Sequence, residues 1–168
     1  MIHATLYHCT GSSTNASAAN VAAGTGVAAF FGYGARTLTL AGTSTDANTL
    51  AGNLQDSSAA GAGVLSITKS GVGTWVLSGA NTYSGATTVT DGTLEVVNAA
   101  SLGTNTLAIA VGAKVQLDYS GTRAIGALSI TNALQANGVY GTSASGAPNT
   151  NDVAFAGLGT VTVGPPDP

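Results

Sequence analysis

The sequence predicts an all-β protein, on three observations. Short segments alternate between apolar and hydroxyl-bearing residues with a period of two, as in Thr37–Leu40 and Thr160–Val163. Glycine, asparagine, serine and aspartate separate these segments, which is typical of turns between strands. The segments also recur at short intervals between positions 64 and 117. Such spacing fits either a sandwich of hairpins or a β-solenoid with stacked coils.

Nine segments are predicted to be strands. On a strand, successive side chains point to opposite faces, so each segment places Leu, Val or Ile on one side and Thr or Ser on the other. Threonine suits the outer face because its branched Cβ favours extended backbone. The predicted strands are 37–40, 64–68, 74–78, 87–90, 93–96, 106–109, 114–118, 127–130 and 160–163.

Residue size favours a parallel β-helix or β-solenoid over a β-sandwich. Sandwich cores fill a layer about 10 Å thick and commonly use large aliphatic and aromatic residues. Here aromatic residues make up 5% of the chain, and there are 24 glycines. Small residues of this kind fit the narrow cross-section of stacked coils. The β-sandwich is kept as the alternative.

The remaining segments define three regions of the chain. Residues 1–26 are interpreted as an extended or flexible N-terminal segment, residues 27–163 as the repeat domain and residues 164–168 as a proline-rich tail. Within the first region, 10–26 fits a loop, a linker or a weak strand, and a short alanine-rich helix is the other option. Residues 141–152 are predicted to form one long surface loop. Asp91–Gly92 is predicted to form a tight turn, since both residues tolerate positive φ.

Residues 64–89 contain the sequence VLSITKSGVGTWVLSGANTYSGATTV, and Asp91–Leu94 continues it. This stretch resembles the autotransporter-associated β-strand repeat, and Trp75, Asn81 and Tyr83 fall where the repeat pattern puts them. Four flanking segments are similar to those that accompany such repeats, so the resemblance covers roughly residues 36 to 163. These segments are Arg36–Thr43, Asn48–Gly52, Ala127–Ile130 and Phe155–Val163.

The resemblance implies a right-handed parallel β-helix or related solenoid in an exported bacterial surface protein. It also implies an extracellular or cell-surface location and an adhesin-like or structural role rather than a defined reaction. No signal peptide is visible at Met1–Ala4. No apolar run approaches the roughly 20 residues of a membrane-spanning helix, so no transmembrane segment is predicted.

Composition argues against nucleic-acid binding, since that function needs clustered basic residues to neutralise phosphates. The net charge is −3.

No catalytic residue, cofactor site or metal site is predicted. The two histidines, His3 and His8, lie beside the single cysteine, Cys9, without a recognised ligand or catalytic spacing. Cys9 is interpreted as an incidental thiol, with an intermolecular bridge or lipid link as the alternative. The four basic residues are Arg36, Lys69, Lys114 and Arg123.

Carboxylate catalysis is the main rival hypothesis, because some polysaccharide-cleaving enzymes use parallel β-helices. Such chemistry needs two or three acids that converge on the scissile bond. The candidates are Asp91, Glu95 and Asp118. The structural alternative places Asp91 in a turn and lets Lys114 and Asp118 mask an exposed sheet edge.

Other side chains have mainly structural interpretations. Trp75 and Tyr83 are predicted to pack against the solenoid, with carbohydrate stacking as the functional alternative. Side-chain ladders or turn hydrogen bonds are predicted for Asn81, Asn98 and Asn105. Asn15 begins the only N-x-S/T sequon, and surface glycans are a candidate partner.

Self-association is the predicted partnership, either by strand addition or by end-to-end stacking. Solenoid ends present unpaired backbone groups that template association unless they are capped. A candidate assembly strand, with a frayed terminus as the alternative, comprises Ile2, His3, Ala4, Thr5, Leu6 and Tyr7. The sequence therefore predicts an extracellular, non-enzymatic structural protein, either a surface passenger or adhesin module or the subunit of a filament. The alternative is a polysaccharide-binding or polysaccharide-cleaving β-helix.

Overall fold

The computed structural model describes residues 8–11, 27–29, 34–42, 47–56 and 63–164. These ranges contain short strands and two 3₁₀ helices, Ala99–Ser101 and Ser143–Ser145, and no α-helix. The strands are β1 (His8–Gly11), β2 (Val27–Ala29), β3 (Arg36–Leu40), β4 (Asn48–Leu50), β5 (Asn53–Gln55), β6 (Leu65–Lys69), β7 (Thr74–Leu77), β8 (Thr87–Val89), β9 (Thr93–Val96), β10 (Thr106–Ile109), β11 (Lys114–Leu117), β12 (Thr122–Ile125), β13 (Ala127–Ile130), β14 (Ala133–Leu134), β15 (Gly138–Gly141), β16 (Asn149–Thr150), β17 (Phe155–Gly157) and β18 (Thr160–Val163).

The strands form a stack of three-sided coils. From β3 to β13, consecutive strands lie in different sheets, and the strands of the first two sheets pair in parallel with their equivalents in the next coil. The first sheet has the order β1-β3-β6-β8-β10-β13-β14, and the second has β17-β11-β9-β7-β4. The third side contains β2-β5 and β12-β18-β15-β16. The prediction of a β-helix or solenoid-like repeat is confirmed. The β-sandwich alternative is wrong, because sandwich sheets are antiparallel.

All nine predicted segments form strands, with ends that differ by at most one residue. Their burial alternates as expected: in β3, β6 and β9 the apolar side chains are buried and the Thr or Ser side chains are half-buried. Thr87 pairs with Ile67 in the preceding coil and with Leu107 in the following one, so one coil takes 20 residues here. Stacked aliphatic side chains stabilise the coils by roughly 1.5–3 kcal/mol for each fully buried Leu or Ile.

The Asp91–Gly92 turn is a corner and not a hairpin. It joins β8 to β9, which lie in different sheets and do not pair with each other. Gly92 has φ +64, and a Cβ there would lie 2.5 Å from the Gly71 carbonyl oxygen in the coil below. The corner therefore needs glycine for its backbone conformation and for the close stacking of successive coils.

An insertion covers the C-terminal end of the stack. In the other described coils three or four residues join β6 to β7, β8 to β9 and β10 to β11, whereas 24 residues separate β13 from β17. Strand β14 returns antiparallel on β13 through Thr131 and Asn132, which have φ 51 and 63, and β15 runs antiparallel to β18. Tyr140 and Phe155 are buried in this last coil. We call residues 131–154 the C-terminal cap.

The prediction of a single surface loop over 141–152 is therefore wrong. The segment contains the Ser143–Ser145 helix and β16, and the Thr142 hydroxyl donates a hydrogen bond to the Gly157 carbonyl at 2.8 Å. Serine, glycine and asparagine in this segment indicated a loop, but their side chains form caps and turns. The Thr142 hydroxyl, for example, also accepts from Ser145 N–H.

At the N-terminal end, β1 pairs antiparallel with β3, and His8 lies opposite Thr39. The rest of the predicted loop, linker or short helix over 10–26 lies outside the described residues. The division of the chain into 1–26, 27–163 and 164–168 stays a prediction.

Candidate functional site

The outward face of the first sheet is lined with hydroxyl groups. Thr39, Thr68 and Thr88 lie side by side on β3, β6 and β8, and Ala108 and Ser129 continue the row. These five residues carry no charge. The basic residues at the ends of β3 and β6, Arg36 and Lys69, lie on the opposite, buried face of the sheet. The face is a regular array of hydroxyl and methyl groups, which suits contact with a surface better than chemistry on a substrate.

The outward face of the second sheet carries the charged residues. Glu95 lies opposite Gln116 on the neighbouring strand. Gln116 Nε2 donates a 2.6 Å hydrogen bond to Asp118 Oδ2, and Asp118 is exposed. Lys114 begins the same strand, next to Thr93. This group of residues, Glu95, Lys114, Gln116 and Asp118, is called the polar patch below.

The three candidate catalytic carboxylates do not converge. Asp91 precedes β9 and Asp118 follows β11, so they lie at opposite ends of paired strands, roughly 15–20 Å apart at about 3.3 Å per residue. Glu95 and Asp118 are diagonal neighbours with backbones roughly 8 Å apart. They are the one pair among the three that the register brings close. The Asp91 carboxylate accepts a hydrogen bond from Gly92 N–H at 2.7 Å, in keeping with a role in the turn.

The idea that Lys114 and Asp118 mask an exposed edge is wrong. Their strand β11 lies between β9 and β17, so it is an interior strand of the second sheet. Charged residues on a strand are typical of a sheet edge, and the sequence alone does not show which strands have neighbours on both sides.

Trp75 and Tyr83 lie inside the stack, as the packing interpretation predicts. Their exposed fractions are 3% and 1%. The Trp75 indole N–H donates to the Ala41 carbonyl at 3.1 Å, and Tyr83 Oη accepts from Gly103 N–H at 3.0 Å. Neither ring face is open, so the alternative of carbohydrate stacking on these two residues is wrong.

The predicted asparagine bonds connect successive coils. Asn81 is buried; its Oδ1 accepts from Leu54 N–H at 2.8 Å, and its Nδ2 donates to the Ser101 carbonyl at 2.6 Å. Asn98 donates to the Ser78 carbonyl and Asn105 to the Ser84 carbonyl. Each of these amides therefore replaces a ladder hydrogen bond where the third side lacks a regular strand.

Two of the buried polar residues have roles that the sequence analysis does not predict. Lys69 lies just beyond the predicted strand 64–68, yet it is 0% exposed and its ammonium contacts three carbonyl oxygens. Thr87 was assigned to a strand without a special role, yet it points inward and is 2% exposed. The signal was present for Lys69, because period-two alternation places it on the same face as Leu65 and Ile67.

Two carboxylates have lowered pKa values. Burial alone would raise the pKa of Asp56, but hydrogen bonds from the Leu65 N–H and from Ser84 lower it. Hydrogen bonds from Ser143 lower the pKa of the exposed Asp152. Both carboxylates therefore bind backbone N–H groups of loops and turns, which is a structural role.

The candidate assembly strand Ile2–Tyr7 and the sequon residue Asn15 lie outside the described residues. Cys9 lies in β1. Within 34–42, 47–56 and 63–164, no three His, Cys, Asp or Glu side chains come together as a metal site. In the part of the chain that the structure describes, no helix is long and apolar enough to cross a membrane.

Comparison with known proteins agrees with the resemblance seen in the sequence. Residues 67–96 match the family model described as passenger-associated-transport-repeat. The chain is 43% identical over 77 residues to the adhesin BmaC autotransporter of Brucella suis biovar 1 (strain 1330). That alignment covers 46% of this chain and 2% of the relative, so the chain spans a very small part of the relative's length. No solved structure matches the chain. The predicted resemblance to an autotransporter passenger repeat is confirmed.

Proposed function

We propose that this chain is a non-enzymatic structural module of a bacterial surface passenger of the adhesin type, and that it works outside the cell or on its surface. The observation that carries the proposal is the position of the repeat. Residues 67–96 supply β7, β8, β9 and most of β6, and they stack directly on the coils before and after them. Stacked repeats of this kind form an extended, regular surface that is suited to binding.

The side-chain distribution supports a structural role. Inward positions are filled by packed residues such as Leu38, Leu77 and Val115, each 0% exposed. Outward positions of the first sheet carry hydroxyl and methyl groups. The name of the relative describes an adhesin. We propose that the hydroxyl-lined face, and not a cleft, is the surface that this module presents to its surroundings.

The rival function is polysaccharide binding or cleavage at the polar patch. One observation favours it: the register makes Glu95 and Asp118 diagonal neighbours on one face of the second sheet, and glycosidases need two carboxyl groups close to one bond. Against it, Asp118 is exposed and is bonded to Gln116. A general acid is commonly held in an environment that disfavours its charged form, and an exposed carboxylate lacks one.

Polysaccharide panels separate the two functions. The purified chain is incubated with acidic and neutral polysaccharides, and both retention and the release of reducing ends are measured. Glu95→Ala and Asp118→Ala test the polar patch, and Asp91→Ala is the matched control because Asp91 lies at the distant corner. We expect no reducing ends from any of the four proteins. Release that disappears in Glu95→Ala or Asp118→Ala and persists in Asp91→Ala would overturn the structural proposal.

We also propose that, where copies of the chain assemble, the N-terminal segment supplies the added strand. Two features support this. Strand β1 pairs with β3 of the first sheet in an antiparallel direction, and the candidate segment Ile2–Tyr7 directly precedes β1 in the sequence. At the other end, the C-terminal cap covers the last coil, which opposes simple end-to-end stacking.

Electron microscopy and light scattering test the assembly proposal. The full chain is compared with a variant that lacks residues 1–7, since this deletion removes the candidate strand and leaves β1 paired with β3. We expect assemblies of the full chain, visible as particles longer than one stack, to disappear in the deletion variant. Assemblies that persist after the deletion would show that strand addition by the N-terminal segment is not the route.

A further inference from the structure

Lys69 occupies a position that belongs to the core. It is the last residue of β6 and lies in register with Leu40 on one side and Val89 on the other. Ile109 and Ile130 continue this column in the following coils. Every equivalent residue in the described coils is therefore aliphatic, and Lys69 is itself 0% exposed. Its hydrocarbon stem fills the place of a Leu or Val side chain.

The ammonium group of Lys69 ends in a cage of backbone carbonyl groups. Nζ donates to the carbonyl oxygens of Gly71 at 2.7 Å, Asp91 at 3.0 Å and Ser70 at 3.2 Å. A lysine ammonium has three donors and no acceptor, so all three are used. No carboxylate oxygen is among these acceptors, and the Asp91 carboxylate instead accepts from Gly92 N–H.

The cage is built from two successive corners. Ser70 and Gly71 belong to the corner between β6 and β7, whereas Asp91 belongs to the corner between β8 and β9. Gly71 has φ +73 and Gly92 has φ +64. A Cβ on Gly92 would lie 2.8 Å from Nζ, so glycine leaves the space that the ammonium needs. The carbonyl groups of both corners thus converge on one point.

We infer that this double corner is a cation-binding site for a primary ammonium group, and that its ligand is the chain's own Lys69. The contact ties the coil that contains β6 and β7 to the coil that contains β8 and β9. Burial lowers the pKa of Lys69, and the charge of Asp91 acts in the opposite direction. The three carbonyl oxygens supply the hydrogen bonds that the ammonium loses with water.

Chemical rescue tests the inference. Lys69→Ala removes the ammonium and its stem, and its thermal unfolding is followed by circular dichroism in sodium chloride, tetramethylammonium chloride and n-butylammonium chloride at equal ionic strength. Lys114→Ala is the matched control, because Lys114 is the other lysine of the described chain and lies half-buried at the start of β11. We expect a lower Tm for Lys69→Ala than for Lys114→Ala, and a saturable rise in Tm with n-butylammonium for Lys69→Ala alone. An equal response of both variants to n-butylammonium would overturn the inference.

A second variant keeps the test decisive if Lys69→Ala does not fold. Lys69→Met retains a stem of similar length and removes only the ammonium, so the aliphatic column stays filled. We expect Lys69→Met to unfold at a lower Tm than the wild-type chain, because three converging carbonyl groups lose their donor. A Tm equal to or above that of the wild-type chain would show that the stem alone matters and that the corner is not a cation site.

Discussion

The hydroxyl groups of Tyr83 and Thr87 lie 2.7 Å apart inside the stack, where these residues are 1% and 2% exposed. Thr87 takes an inward position whose neighbours in the column are Ile67 and Leu107. Tyr83 Oη also accepts a hydrogen bond from Gly103 N–H, one coil further on. The pair therefore satisfies a buried backbone donor at a place where the third side of the stack has no regular strand.

Removing the Tyr83 hydroxyl should destabilise the protein more than removing that of Thr87. Tyr83→Phe leaves both Gly103 N–H and the Thr87 hydroxyl without this partner, which costs about 1–3 kcal/mol for a buried donor. Thr87→Val fills an aliphatic column and leaves Tyr83 its bond to Gly103, so we expect a loss below about 1 kcal/mol. Urea unfolding monitored by circular dichroism measures both. Equal losses would contradict this order.

The buried amide of Asn81 should matter more than the exposed amide of Asn105. Asn81→Ala leaves Leu54 N–H and the Ser101 carbonyl without their partner, and we expect a loss of about 2–4 kcal/mol for two buried groups. Asn105 donates to the Ser84 carbonyl from an exposed position. Water can therefore donate to this carbonyl once the Asn105 amide is removed. Asn105→Ala is the matched control, with an expected loss below about 0.5 kcal/mol. The midpoints of urea unfolding decide the order, and a larger loss for Asn105→Ala would refute it.

Alternation of apolar and hydroxyl-bearing residues predicted most strands of the first two sheets and missed β1, β4, β14 and β17. It works there because each strand has one face in a continuous core, so the period of two is preserved from β3 to β13. On the third side it predicted only β18 among the described strands. Strands such as β5 and β12 are short and contain Asn53 or Arg123, and much of that side is held by side-chain amides and the Tyr83 hydroxyl instead of strand pairing.

The polar residues inside the stack could be predicted only in part. The period of two places Lys69 on the inner face, but nothing in the local sequence shows that a corner from the next coil supplies the Asp91 carbonyl. Likewise, Asp91–Gly92 predicts a turn in isolation, whereas the choice between hairpin and corner depends on which strands pair. These features arise from contacts between residues about one coil apart, which local patterns do not encode.

Stability should fall at alkaline pH because Tyr83 is buried and Tyr119 is half-buried. Burial raises the pKa of Tyr83 and of Tyr119 above the ordinary value of 10.0. The unfolded chain then loses these protons first as the pH rises, so the stability that is fully present below about pH 10 is lost as the pH approaches the folded-state values. The lowered pKa of Lys69 acts in the opposite direction, because the folded chain loses that proton first.

Thermal unfolding between pH 8 and about pH 11 measures this dependence. Absorbance at about 295 nm, where tyrosinate absorbs, follows ionisation of the tyrosines in the same samples. Tyr119→Phe is the informative variant, because it removes one half-buried phenol group together with its hydrogen bond to the Thr160 carbonyl. We expect a lower Tm at neutral pH and a shallower alkaline fall for this variant. A Tm that stays constant or rises in the wild-type chain up to about pH 11 would contradict the prediction.

Gly92 should tolerate alanine much less well than Gly112. Both residues have left-handed backbone, with φ +64 and +80, so both substitutions cost about 1 kcal/mol for the unfavourable conformation. At Gly92 the new Cβ would lie 2.5 Å from the Gly71 carbonyl oxygen, whereas at Gly112 no atom lies within 4 Å. We expect Gly92→Ala to lose at least about 2 kcal/mol more than Gly112→Ala. Similar urea midpoints for the two variants would show that the corners are not closely stacked.

The C-terminal cap should keep the last coil from pairing with another molecule. Replacing 131–154 by a copy of residues 110–113, which join β10 to β11 in the preceding coil, removes β14, β15 and β16 and exposes the edges of β13 and β18. Parallel edges with unpaired N–H and C=O groups template association. We expect the trimmed chain to associate in a concentration-dependent way, measured by size-exclusion chromatography with light scattering, under conditions in which the chain with an intact cap elutes as a smaller species.

The matched control for this experiment is the same trimmed chain with Ser129→Lys. Ser129 lies on the outward face of β13, so the substitution should not disturb the core, and like charges on facing edges oppose pairing. We expect this second variant to associate less than the trimmed chain at every concentration. A trimmed chain that keeps its cooperative unfolding and elutes at the size expected for one copy would show that the cap does not govern assembly.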